Sequence, residues 1–171
     1  MGPALAVKAV VGDRFSVIGF GLAQIAIDIE PLFGIICGWD VLHGRTHSVI
    51  GATAIGLAVT SVTPRIARSL LMWWNELLGD SDMHSFASPT RVSWPAAASG
   101  ALLGVWSHVL LDGVMHADLL PFWPWSGARP LLGALSPVAL HLACIASGLA
   151  GVAAWFWRGW RRRRRALRCR S

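Results

Sequence analysis

The sequence predicts an all-α, polytopic membrane protein with about four transmembrane helices and one interfacial helix. Three observations carry that expectation. Hydrophobic residues make up 54% of the 171-residue chain and charged residues only 14%, where soluble domains carry about 25% charged residues. Apolar stretches recur at lengths near the roughly 20 helical residues that a ~30 Å hydrocarbon core requires. Basic residues are piled at one end, directly behind the last apolar run. Mean hydropathy is +0.54, and a surface that apolar would not stay dispersed in water. In lipid, helices satisfy their own backbone groups within one segment, so the spans are expected to be helical.

The first expected span runs over 15–39 and contains Asp28 and Glu30. The second, 47–62, is short and begins at His47. The third, 96–120, carries His108, Asp112, His116 and Asp118. The fourth, 131–157, contains His141 and no Asp, Glu, Lys or Arg. Between the second and third, 65–78 alternates Arg65, Arg68, Asn75 and Glu76 with Ile66, Leu70, Leu71, Trp73, Trp74, Leu77 and Leu78, the pattern of a helix lying in the interface. Residues 79–95 are rich in Ser, Asp and Pro and read as loop, with His84 a solvated loop residue. The membrane domain is thus expected over 1–157, followed by a basic tail at 158–171.

Orientation follows from charge. Lys8, Arg14, Arg65, Arg68 and Arg91, with the eight arginines of the tail, place thirteen of the fifteen Lys and Arg on one side of a four-span topology. Only Arg45 and Arg129 fall on the other. That makes both termini cytoplasmic. The tryptophans agree, with Trp39, Trp123 and Trp125 at the outer boundary and Trp94, Trp155, Trp157 and Trp160 at the inner one. The net charge of +6 does not indicate a nucleic-acid binder. The arginines sit where a membrane anchor puts them, against anionic lipid. Cys37, Cys144 and Cys169 are far apart, form no CxxC pair and suit neither a disulfide framework nor a cysteine zinc site.

Ionisable groups inside a span are costly unless paired, ligated or hydrated. Here they gather in the outer half of the expected topology. His108, Asp112 and His116 are successive i, i+4 positions, one stripe about 12 Å long on a helix face. His43 and His47 share a face if their segment is helical. Pro31 pushes the preceding Glu30 out of the helical region, so a break is expected there, lining a polar cavity. Imidazole with carboxylate favours zinc or another first-row divalent ion. His141 reads as a helix–helix hydrogen bonder in support of the site.

Two of these segments resemble a known family. His43-Gly44-Arg45-Thr46-His47-Ser48 is similar to the H-R-G-x-T-H-S signature of the YdjM-like family of inner-membrane metal-dependent hydrolases. Ser107-His108, Asp112 and Pro121-Phe122-Trp123-Pro124-Trp125 resemble its S-H-x3-D…W-P segment, and Asp28-Ile29-Glu30 its D-x-D motif. Order and rough spacing hold through about Ser126. The first histidine pair is one residue closer here, Glu30 replaces an Asp, and Pro31 stands where the family has His. The resemblance implies a divergent branch acting in a bacterial cytoplasmic membrane. The combined expectation is a metal-dependent hydrolase acting at the outer leaflet on an ester or phosphoester substrate that could be lipid-linked. Its metal ligands would be Asp28, His43, His47, His108 and Asp112, with zinc as cofactor. Glu30 or His116 would transfer protons and Arg45 would face an anionic substrate. Membrane lipids are the expected partners, with no nucleic acid. The alternative is a membrane protein that binds or passes metal ions or protons without catalysis.

Overall fold

The computed structural model describes residues 2–79 and 87–168, with side chains as far as Arg161. His84, Cys169 and the arginine side chains beyond Arg161 lie outside the described residues. The helices are α1 (Gly2–Val11), α2 (Val17–Ile27), α3 (Ile29–Cys37), α4 (Val49–Leu78), α5 (Trp94–Met115) and α6 (Pro137–Arg168), with short 3-10 turns at Gly12–Arg14 and Arg45–His47. The fold is all-helical. Four stretches are long and apolar enough to cross a membrane: Val17–Cys37, Val49–Leu78, Trp94–Met115 and Pro137–Arg161.

Serine begins three of the helices for a common reason. Ser16, Ser48 and Ser93 hold extended backbone and accept a hydrogen bond from the N–H three residues on, satisfying a donor that the first turn leaves free. Gly38 ends α3 in the left-handed region at φ 70°, donating back to the Gly34 and Ile35 carbonyls.

Helices α2, α4 and α5 form the central bundle. Its register is fixed at one end by Ser16 N–H donating to the Ala96 carbonyl at 3.0 Å, and near the other by the Gln24 amide donating to the Gly104 carbonyl at 2.8 Å. Helices α2 and α5 therefore run side by side in the same direction. Helix α4 runs against them, with Thr63 beside Gly19 and Gly56 beside Leu102 and Val105. Small residues permit this approach: a Cβ on Gly104 would stand 2.8 Å from the Ala23 Cβ and 2.9 Å from the Phe20 carbonyl oxygen. Such close backbones are how helices associate where lipid offers no hydrophobic drive. The core between them is Ala23, Ile27, Ala52, Val59, Ala101, Val105, Val109 and Leu119. Helix α6 packs chiefly on α1, parallel to it, with Gly2 against Cys144 and Gly148, and Gly151 against Leu5 and Ala6.

Four details differ from the sequence expectation. The break in the first span falls at Asp28, and Glu30 lies inside α3. Pro31 occupies the first turn of α3, where a missing N–H costs nothing. Its nitrogen cannot donate to Ile27, which is where α2 ends. Residues 65–78 are helical, but they continue α4 without interruption through Pro64. The Thr63 hydroxyl donates to the Val59 carbonyl beside the proline, at 2.7 Å. The third span ends at Met115, and His116 leaves the helix with extended backbone at φ −107°, ψ 118°. His108 and Asp112 keep their shared face, while His116 and Asp118 belong to the following loop. Helix α1, finally, was not expected from the sequence.

Candidate metal centre

The bundle register brings Asp28 at the end of α2 level with His108 and Asp112 on the last turns of α5. The 3-10 turn before α4 adds His47 from the third side. One ligand atom from each of Asp28, His47, His108 and Asp112 lies within 4.8 Å of all the others. His108 Nε2 stands 3.0 Å from Asp28 Oδ1 and 3.0 Å from Asp112 Oδ2. His47 Nε2 is 4.0 Å and 3.7 Å from the same two oxygens. His43 Nε2 is 3.9 Å from Asp112 Oδ2.

The opposite nitrogen of each ring is tied outward. Gln24 Oε1 lies 2.8 Å from His108 Nδ1. The Gln24 amide nitrogen is committed to the Gly104 carbonyl, so the oxygen faces the ring and Nδ1 must carry the proton. For His47, the Nδ1 partner is the Thr46 hydroxyl at 3.1 Å. That hydroxyl gives its own proton to Glu30, which leaves His47 Nδ1 as the donor. His43 Nδ1 lies 3.1 Å from both oxygens of Asp118 and donates to them. All three imidazoles thus turn Nδ1–H outward and the Nε2 edge inward. His47 Nε2 is fully buried and has no hydrogen-bond partner.

Outer partners hold this arrangement in place. Glu30 Oε2 accepts from the Thr46 N–H at 3.0 Å as well as from the Thr46 hydroxyl. A Cβ on Gly44 would sit 2.5 Å from Glu30 Oε1, so a larger residue there would push the carboxylate aside. Asp118 Oδ2 accepts from the Leu42 and His43 N–H groups, each at 3.0 Å. Burial alone would raise the Asp118 carboxyl, but the His43 backbone and ring and the Leu42 backbone outweigh it and hold the group down at about 2. His116 stacks on His43 with ring centroids 4.0 Å apart. With Asp118 these two form a second group whose ligand atoms lie within 4.8 Å of one another. The rings lie within 28° of parallel, so their in-plane lone pairs run side by side and do not converge. Asp118 is already filled with donors. That trio supports the first cluster.

The expected residues therefore separate. Asp28, His47, His108 and Asp112 come together, with His43 at their edge. Glu30 stands one residue removed, bonded to Thr46. Arg45 is exposed, its guanidinium 5.2 Å from the centre of the Trp123 ring, a cation–π contact. His141 takes no part: it is exposed and its Nδ1 donates to the Pro137 carbonyl one turn earlier, at 2.6 Å. Gln24, Thr46 and Asp118 were not singled out as positioning groups from the sequence. Gln24 could have been, since it lies four residues before Asp28 inside an apolar span.

The residues present fit a metal ion. A tetrahedral zinc with bonds of about 2.0–2.2 Å spaces its donors about 3.3 Å apart, and the distances above, 3.0 to 4.0 Å, bracket that value. Two imidazole nitrogens with two carboxylate oxygens are a donor set for zinc or a neighbouring divalent ion. The chain is thus a polytopic helical membrane protein with a His/Asp cluster able to hold a metal ion. No protein-family model, curated protein or solved structure matches it.

Proposed function

We propose that this chain is a membrane-embedded, metal-dependent hydrolase of esters or phosphoesters, and a divergent relative of the YdjM-like family. In this reading the site faces the outer side of a bacterial cytoplasmic membrane, with the arginine-rich tail inside. The observation that carries it is the orphaned Nε2 of His47, fully buried and aimed at two carboxylate oxygens. Buried nitrogens almost always have a partner. A proton on His108 Nε2 would satisfy its own contacts with Asp28 and Asp112, yet it would leave His47 unpartnered. A cation among the four residues serves all of them.

Asp28, His47, His108 and Asp112 hold the ion in this scheme, zinc by donor type, with His43 at hand as a fifth donor. Such an ion supplies Lewis acidity, making water more acidic and polarising a phosphoryl or carbonyl oxygen. Thr46 and Glu30 set the His47 ring, Gln24 sets His108 and Asp118 sets His43. Because the Glu30 carboxylate is engaged with Thr46, proton transfer falls to His116, which is half-buried on the rim. Arg45, exposed beside Trp123, meets the anionic part of the substrate. The alternative, a pathway for metal ions or protons, would want polar groups continuing down the bundle. Among the described residues the interior below the cluster is Ala23, Ala101, Val105 and Val59, and the Thr63 hydroxyl is bonded to its own helix.

Metal analysis of protein purified without chelators tests the reading. Wild type should carry stoichiometric divalent metal and His47→Ala should lose it. A wild-type preparation that neither retains nor takes up zinc, manganese or cobalt would sink it.

A further inference from the structure

The cluster is closed at the helix ends and open at the side. Two loops cover the end: Asp118 is bonded to the Leu42 and His43 N–H groups, Val49 N–H donates to the Pro121 carbonyl at 2.9 Å, and His116 lies on His43. Behind the cluster, His47 is 0% exposed at its side chain and Asp112 15%. Asp28 is the exception, with 54% of its side chain exposed. Ile25 near the end of α2 and Leu32 in the first turn of α3, on either side of it in the chain, are exposed by 64% and 55%. Both lie in the Val17–Cys37 stretch, which is long and apolar enough to span a membrane. An exposed isoleucine and leucine in a span face acyl chains. The exposed edge of the cluster is thus flanked by exposed apolar residues of a stretch long and apolar enough to span a membrane.

We propose that the substrate enters laterally from the bilayer between Ile25 and Leu32, and that it is a phospholipid-class amphiphile whose headgroup phosphoester reaches the cluster while its acyl chains stay on this apolar face. The inference rests on the hydrolase reading above and adds the substrate class and the route. Charge complementarity names the headgroup. A cation held at Asp28 and Asp112, with exposed Arg45 on the capping loop, selects an anionic phosphate. The exposed Trp123 and Phe122 beside Arg45 are residues that settle at headgroup depth. The reaction balances without a further reagent: the oxygen of water bonds to phosphorus, the bond from phosphorus to the leaving alcohol oxygen breaks, and a proton from water ends on that oxygen.

The test compares a phosphatidylglycerol in mixed micelles with the glycerophosphodiester of the same headgroup, which lacks acyl chains. Binding energy from the chains should raise kcat/KM for the lipid by about tenfold or more. Ile25→Trp and Leu32→Trp, each at an exposed position, should lower that ratio, while Leu142→Trp on the exposed face of α6 should leave it alone. Equal turnover of the two substrates, or a ratio indifferent to both tryptophans, overturns lateral entry and leaves the hydrolase reading standing. If neither substrate is cleaved, the hydrolase reading fails and the route is read separately. Protein loaded with Mn2+ in phosphatidylglycerol nanodiscs should speed headgroup phosphorus relaxation relative to His108→Ala treated alike. No difference there overturns the route as well.

Discussion

The α2–α4–α5 bundle and the α1–α6 pair are assembled by the same device and carry different loads. In both, glycines let helices touch backbone to backbone: Gly104 on Phe20 and Ala23 in the bundle, Gly148 on Gly2 in the pair. In the bundle the contact is reinforced by hydrogen bonds between residues far apart in sequence, Gln24 to Gly104 and Gln24 to His108. In the pair, His141 and Ser147 of α6 turn back on their own helix, to Pro137 and Cys144. Polar contacts across helices fix rotation and register as well as distance. A metal centre needs that precision, and a helix whose work is to span lipid does not.

Packing gives the sharpest way to break this contrast. Gly104→Ala drives a Cβ onto the Ala23 Cβ and the Phe20 backbone, neither of which is the free end of a flexible side chain. Overpacking of that kind costs about 1–3 kcal/mol, so the thermal unfolding of Gly104→Ala in detergent should fall by several degrees or the protein should fail to accumulate. Gly148→Ala meets only Gly2, with its Cα at 3.0 Å, a contact that a few tenths of an ångström of movement relieves. Its unfolding should stay close to wild type. Comparable losses in the two variants would show that the pair is as tightly specified as the bundle.

A smaller effect, confined to the site, comes from the groups that set the rings. Gln24→Leu keeps the volume but takes the acceptor from His108 Nδ1–H, releasing the ring to flip its tautomer. Loss of such an outer partner typically weakens metal affinity by about 10–100-fold. His141→Leu, on the other region, should leave affinity unchanged. Competition with a chelator of known strength measures both. An unaltered affinity in Gln24→Leu would remove the argument from ring orientation, whatever happens to turnover.

The cluster was legible because ionisable residues in a span are too costly to be accidental. Asp28, His47, His108 and Asp112 stood out on that ground, and His108 with Asp112 also by helical spacing. The four spans followed from apolar length, with ends displaced by two to six residues at His47, Leu120 and Leu131, where loop geometry overrides composition, and by more at Val62, where α4 runs on to Leu78. What could not be read was register. Whether Gln24 meets His108 depends on how far α2 slides along α5, and the small residues that decide it, Gly100 and Gly104, look like any other glycines in an apolar run. The position of the break was misread for a local reason: Pro31 acts on the carbonyl four residues before it as well as on its immediate neighbour, and the first effect prevails. Helix α4 continued past Pro64 because one missing N–H in a long, well-capped helix does not stop it.

The smallest expected effect concerns the loop that closes the site. Asp118 holds Leu42 and His43 through charge-assisted bonds to their backbone N–H groups, and its carboxyl is held at about 2, below its ordinary 3.8. A depressed carboxyl contributes stability that is complete above the unfolded value and is lost as pH falls from about 3.8 through about 2. In Asp118→Asn that contribution is gone at every pH, so the difference in stability between wild type and variant should be constant above about pH 5 and shrink toward zero near pH 2. Because Asn still accepts one of the N–H bonds, the loop should close and the four-residue cluster should retain its metal. His43 then loses its strong orienting acceptor while His47 and His108 keep theirs. Chemical denaturation at a series of pH values, read beside metal content, checks both halves. A stability difference that persists at pH 2 would mean the carboxylate charge is not what fastens this loop, and the contrast between the two regions would rest on the ring partners and the packing alone.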